Sequence, residues 1–205
     1  NRYTLFGMLE RLGVELHDLG VVADRPEALE AAFAQALGMA DVVLSSGGVS
    51  VGDADHVRTM LARLGRTVFW KIAIKPGRPF AYGRLGANGH FFGLPGNPVA
   101  VMVTFQQLVR PALMRLMGVT QLPPVVRLPA RTLTPLRKAA GRFEFQRGIL
   151  SQAADGSWQV AASGEQGSGM LSSMSLANCF ICLPEAAGNA AAGDWVTVEP
   201  FDHGV

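Results

Sequence analysis

One stretch restricts the fold more than any other: Val42-Val-Leu-Ser-Ser-Gly-Gly-Val-Ser-Val-Gly-Asp-Ala-Asp-His56, followed by Val57, Met60, Leu61 and Leu64 at helical spacing. An apolar run, then small residues, then a helix predicts a β-strand that hands the chain through a tight turn into a helix. A parallel α/β sheet presents backbone N–H groups to an anion at its carboxyl edge in this way. Gly47 and Gly48 let the main chain turn where a Cβ would clash, and Ser45, Ser46 and Ser50 add hydroxyl donors on the way to Gly52. Asp53 and Asp55 follow at once. Carboxylates beside a phosphate repel it unless a divalent cation lies between them, so the pattern suits phosphate together with a hard ion such as Mg²⁺. The spacing is neither that of a P-loop nor that of a G-x-G-x-x-G fingerprint. A plain turn whose aspartates favour the helix N-terminus stands as the alternative.

Composition narrows the setting. Of the 205 residues 49% are hydrophobic and 17% charged, enough for a substantial core in one large domain or two small ones. No apolar run reaches the length of a membrane span and no signal peptide opens the chain, which leads us to expect a cytoplasmic protein with no membrane partner. A net charge of +2 is too small to point to nucleic acid. Residues 1–118 hold 12 Lys and Arg against 9 Asp and Glu, and the remainder 6 against 7, so the first part is the better host for an anion. Cys179 and Cys182 lie in the strand-like run Asn178-Cys-Phe-Ile-Cys-Leu183, where an odd separation points them to opposite faces. Buried, reduced thiols are expected there rather than a metal or redox site. The four histidines are scattered.

Read in order, Leu5, Met8, Leu9 and Leu12 predict a first helix, and Val14–Val22 predicts a strand. Asp24, with Glu27 three residues on, predicts the cap of a helix ending at Gly38. The chain starts with Asn1 and enters a helix with no leading strand, as a piece of a longer protein would. From Thr67 to Pro79 a single extended segment is expected, with Lys71 and Lys75 on one side about 13 Å apart. Arg78 adds a third cation at the turn Pro76-Gly77. The readings for these lysines are an anion grip and an edge strand guarded against aggregation. Strands at 80–85 and 90–94 lead into Pro95-Gly96-Asn97-Pro98, where Asn97 suits an N-cap and Pro98 the first helical position. Pro111 is expected to kink the long helix that follows. After Gly118 the pattern becomes short strands at 125–133, 143–150, 158–162, 179–183 and 195–198, separated by turns such as Ala154-Asp-Gly156. Ser163–Ser175 is expected as a loop. The expected domains are therefore 1–121, an α/β domain with a doubly wound, mainly parallel sheet, and 122–205, a small all-β barrel or sandwich.

Five blocks in order, Asn1-Arg-Tyr, Ser46–Asp55, Phe69–Phe80, Gly93–Pro98 and Gly141-Arg-Phe-Glu-Phe-Gln-Arg-Gly148, closely resemble the molybdopterin molybdenumtransferases. This is the MoeA family, which includes the E domain of gephyrin. The resemblance implies a molybdopterin-binding, MogA-like α/β domain followed by the family's C-terminal β domain. The implied reaction takes adenylylated molybdopterin and molybdate, inserts molybdenum into the dithiolene and releases AMP with the help of Mg²⁺. On that likeness Ser46, Gly47, Gly48, Ser50 and Gly52 cradle phosphate, Asp53 or Asp55 holds metal, and Lys71, Lys75 and Arg78 neutralise oxyanions. Pro95, Gly96, Asn97 and Pro98 shape the site wall, Arg147 and Ser168 come from the β domain, and Asp55, Lys71 and Lys75 are the catalytic candidates. The two bends and the lysine-bearing segment are expected to gather at one rim of the first domain.

Family members carry further N-terminal domains and a first strand with a Thr-Gly-Asp-Glu motif, and they work as homodimers. The resemblance thus implies a second copy as partner, and the adenylyltransferase acting upstream as another. That adenylyltransferase activity and a non-catalytic pterin-binding scaffold are the alternative functions.

Overall fold

The strand and the helix expected on either side of the glycine stretch are both present in the computed structural model, which describes residues 1–48, 56–69 and 71–201. The chain divides into two units: Asn1–Ile72 with Gly77–Met114, and Ala73–Pro76 with Arg115–Val205.

In the first unit α1 (Arg2–Glu10) and α2 (Pro26–Leu37) precede β1 (Val42–Ser46), α3 (His56–Leu64) and β2 (Gly65–Phe69). The two-residue β3 (Ile74–Lys75) belongs to the second unit. The first unit resumes with β4 (Ala81–Leu85), β5 (Gly89–Leu94) and a helical run made of α4 (Pro98–Thr104), a π-helical turn (Phe105–Val109) and α5 (Arg110–Leu116). Its sheet has the order β1-β5-β4-β2. Side chains alternate across it. Val42, Leu44, Phe92 and Leu94 join the cluster that α1 and the 98–116 helical run bury, while Val43 and Phe91 join that of α2 and α3. Both faces are therefore covered by helices, as a doubly wound sheet requires.

The expected mainly parallel sheet is corrected. Only β1 and β5 pair in parallel; β4 with β5 and β2 with β4 are antiparallel, so the described sheet is mixed. The reason is connection length: the three residues between Leu85 and Gly89 can only fold the chain back on itself, whereas a parallel neighbour needs a crossover. Val14–Val22 forms no strand either. Val14 and Leu16 lean on the core, but Asp18 accepts the Gly20 N–H at 2.9 Å and pairs with Arg2 at 2.9 Å, which bends the segment locally. Asp24 does not cap α2; the N-cap is Arg25, with extended φ/ψ and Pro26 behind it. Pro111, which lacks an N–H and crowds the carbonyl four residues back, is met by the π-helical turn just before it.

In the second unit β6 (Leu128–Thr132), β7 (Phe143–Gln152), β8 (Trp158–Ala162), β9 (Cys179–Leu183) and β10 (Trp195–Pro200) match the expected strands. The order β7-β8-β6-β10-β9, with β9 returning to β7, closes a five-stranded barrel. β7 joins both neighbours because Gly148 faces Ala162 on one side and Cys179 on the other. A Cβ there would lie within 2.9 Å of Val160, Cys179 and Ile181, so only glycine fits the bend. Ala130, Val160, Cys179, Ile181, Leu183, Val196 and Val198 fill the interior. Within the expected loop 163–175 a short helix, α6 (Leu171–Ser175), forms.

Candidate functional site

The site is assembled from the carboxyl ends of the two parallel strands. β1 ends at Ser46 opposite Leu94 of β5, so the bends that follow each strand start side by side. Gly47 and Gly48 both have positive φ, 88° and 71°, which L side chains resist. The Gly47 N–H donates to the Leu94 carbonyl at 3.1 Å, and the place a Gly96 Cβ would take is 3.9 Å from Gly47 Cα. A third segment ties the two bends. Asn1 Nδ2 donates to Ser46 Oγ at 2.8 Å and to the Gly96 carbonyl at 2.7 Å, and the Ser46 hydroxyl reaches the Pro95 carbonyl at 3.4 Å. Ser46, Gly47, Gly48, Pro95, Gly96, Asn97 and Pro98 thus stand together at one edge of the first unit. Asn97 occupies the N-cap position without a side-chain cap bond, and Pro98 opens the helix.

Ser45 Oγ is buried and has no hydrogen-bond partner among the described residues. It lies next to last in β1, with Ser46 between it and the glycines. A buried hydroxyl left unpaired costs about 1–3 kcal/mol.

The lysine-bearing segment is not one strand. β2 ends at Phe69 and β3 starts at Ile74, and the two belong to different sheets. Lys71 and Arg78 stay with the first unit and are exposed, whereas Lys75 lies in the second, where β3 pairs in parallel with β7. There Lys75 Nζ donates to both oxygens of Glu144, at 3.2 and 3.4 Å. The side-by-side arrangement of Lys71 and Lys75 required an unbroken ladder, and the competing partner β7 takes the chain instead.

Arg147 is 1% exposed. Its guanidinium donates to the carbonyls of Glu165, Gln166 and Gly167 at 2.8–3.2 Å and to Ser173 Oγ at 3.0 and 3.2 Å. Burial pulls its pKa down to about 10, which still leaves it charged at neutral pH. Its donors are directed at the loop that carries Ser168, so it braces that loop from beneath. Ser168 itself is partly buried between Gly167 and Gly169.

Ser50, Gly52, Asp53 and Asp55 lie outside the described residues. Among the described residues no group of three His, Cys, Asp or Glu side chains could hold a metal ion. Three participants were not singled out as site residues from the sequence. Asn1 gave no local signal beyond its place in a matching block. Glu144 and Gln146 did give one, alternating with two phenylalanines in Phe143-Glu-Phe-Gln146, but a polar face on a strand reads equally as a solvated one.

Comparison with known proteins gives the family. Residues 1–115 match the family described as "Probable molybdopterin binding domain", and residues 129–201 match "MoeA C-terminal region (domain IV)". The molybdopterin molybdenumtransferase of Haemophilus influenzae is 46% identical over 203 residues, covering 99% of this chain and 50% of that protein. The protein of the same name from a Nostoc species is 34% identical over 188 residues, covering 90% of this chain and 43% of that one. Among solved structures, the molybdopterin biosynthesis MoeA protein of Pyrococcus horikosii superimposes with a TM-score of 0.80 at 29% identity, covering 98% of this chain and 48% of that one. The chain spans about half the length of the curated relatives it matches.

Proposed function

This chain belongs to the molybdopterin-binding domain family, and on that premise we propose that it is the ligand-holding part of a molybdopterin molybdenumtransferase. In this reading it accepts adenylylated molybdopterin and molybdate, inserts molybdenum into the dithiolene and releases AMP. The observation that carries the reading is the junction of the Gly47-Gly48 and Pro95–Asn97 bends, locked by Asn1, at the carboxyl ends of β1 and β5. Ligands of open α/β sheets bind at such strand ends. Glycine backbone, serine hydroxyls and the start of the 98–116 helical run offer neutral N–H and O–H donors that suit phosphate oxygens.

The residues divide the work by chemistry. Ser46, Gly47, Gly48, Ser50 and Gly52 receive phosphate, and Pro95, Gly96, Asn97 and Pro98 form a stiff wall. Lys71, Lys75 and Arg78 supply donors to molybdate and phosphate oxygens. Ser168 contributes from the second domain, with Arg147 holding its loop. Asp53 or Asp55 would hold Mg²⁺, since a hard cation prefers carboxylate oxygens. Bound there, Mg²⁺ would polarise the phosphoanhydride. The division 1–121 and 122–205, action as a homodimer alongside the adenylyltransferase, and a cytoplasmic location belong to the same proposal. No described helix is long and apolar enough to cross a membrane.

The test uses the full-length protein. AMP release from adenylylated molybdopterin should require both molybdate and Mg²⁺, and Asp55→Ala, Lys71→Ala or Lys75→Ala should each lower it by about 100-fold, the scale of removing one electrostatic contact to the transition state. Unchanged release in all three variants overturns the residue roles. Adenylate formation from ATP and metal-free molybdopterin would point to the adenylyltransferase instead, and tight pterin binding without turnover to a scaffold.

A further inference from the structure

Lys75 has a partner whose placement the proposed reaction does not by itself explain. The parallel register sets Lys75 directly opposite Glu144, so both side chains leave the same face of the sheet. On that face β7 also presents Gln146, whose ladder partner Ile181 belongs to the barrel core, as does Leu183 opposite Glu144. The lysine and the glutamate see very different surroundings: the Lys75 side chain is 45% exposed, the Glu144 side chain 3%. An ionised carboxylate is held at the rim of an apolar barrel interior, where it is tolerated only if paired and hydrogen-bonded.

The pairing is complete and directional. Glu144 Oε1 and Oε2 accept from Lys75 Nζ at 3.2 and 3.4 Å, and Oε2 also accepts from Gln146 Nε2 at 3.1 Å. Gln146 is buried as well, and its Nε2 also donates to the Arg137 carbonyl at 2.8 Å, which fixes the amide and through it the plane of the carboxylate. A pair that only discouraged aggregation at a sheet edge would need no buried anion and no second buried amide behind it.

We propose that Glu144 is a positioning residue for Lys75, with Gln146 as its anchor. Glu144 draws one side of the ammonium toward itself and offsets its charge. At least one of the three N–H donors is left pointing away from the carboxylate, toward solvent or ligand. Lys75 then meets an oxyanion as an aimed hydrogen-bond donor rather than as a free positive charge. This inference rests on the reading that Lys75 touches the anionic substrate.

The experiment is a double-mutant cycle in the full-length protein: wild type, Lys75→Ala, Glu144→Gln and the double variant, each assayed for molybdate-dependent AMP release and for thermal unfolding. Glu144→Gln keeps the size and one acceptor oxygen but removes the charge. It should lower kcat/KM by about tenfold or more, the scale of a misaimed donor. In the Lys75→Ala background the same change should have no further effect, because the group that Glu144 acts through is gone. If Lys75→Ala is fully active, the substrate contact fails and this inference falls with it. If Lys75→Ala is crippled but Glu144→Gln is not, or Glu144→Gln costs the same factor with and without Lys75, the contact stands and the positioning role is overturned.

Discussion

At the scale of single residues, the two buried cysteines and the half-buried His90 make measurable predictions. Burial pushes the thiols of Cys179 and Cys182 up to about 12, and both are unbridged. Reactivity follows the thiolate, so neither should react with a thiol reagent at pH 7.5 in the folded protein, and both should react after unfolding in guanidinium. His90 supplies a pH response. Arg84 Nη1 faces its Nε2 at 3.1 Å and can only donate, so the neutral ring keeps its proton on Nδ1, where the Tyr82 hydroxyl lies at 2.9 Å. Burial, and then the charge of Arg84, lower its pKa, with Asp41 opposing. A base whose folded pKa is depressed binds more protons when unfolded, so its contribution is intact above about pH 6.5 and is lost as pH falls toward the folded value. The urea midpoint should therefore drop between pH 7.5 and 5.5, and His90→Gln should flatten that dependence. Both of the histidine's partners, Tyr82 and Arg84, come from β4, and it is the antiparallel register of β4 with β5, not composition, that brings them to it.

At the scale of elements, the closures and bends decide stability. Gly148 is the crossing point of the barrel, and Gly148→Ala places a methyl against Val160, Cys179 and Ile181. Overpacking of this kind should cost about 1–3 kcal/mol, read as a lower denaturation midpoint. Arg147 braces the 163–175 loop through four backbone and side-chain acceptors. Arg147→Met should speed amide exchange across 163–175 and cost about 2 kcal/mol or more, since bonds from a charged donor are lost in a buried place. The five barrel strands were legible because each is a run of alternating or β-branched residues between strong turn signals. The helices around Leu5–Leu12, Phe33–Leu37 and Val101–Leu116 were legible from their spacing. Pairing direction was not, since a strand's composition does not record which neighbour it meets.

At the scale of the whole molecule, the segment Ala73–Pro76 is the instructive case. It lies in the sequence of the first unit but in the sheet of the second, and the Phe143 N–H donates to the Ala73 carbonyl at 3.0 Å. Ile74→Gly should loosen this two-residue strand by about 1 kcal/mol. Amide exchange at Phe143 should then rise roughly fivefold, with the amides of β4 unaffected. The glycine stretch, the Pro-Gly-Asn-Pro bend and the change of pattern after Gly118 were all determined locally: backbone freedom, rigid φ and side-chain alternation act over a few residues. Two results came only from the tertiary structure. The first was Asn1 as the tie between the two bends, whose meeting the sequence led us to expect. The second was the capture of Lys75 by Glu144 away from Lys71. Both depend on contacts between residues some 45 to 95 positions apart, and such contacts are decided by which of several compatible partners buries the most surface and satisfies the most polar groups.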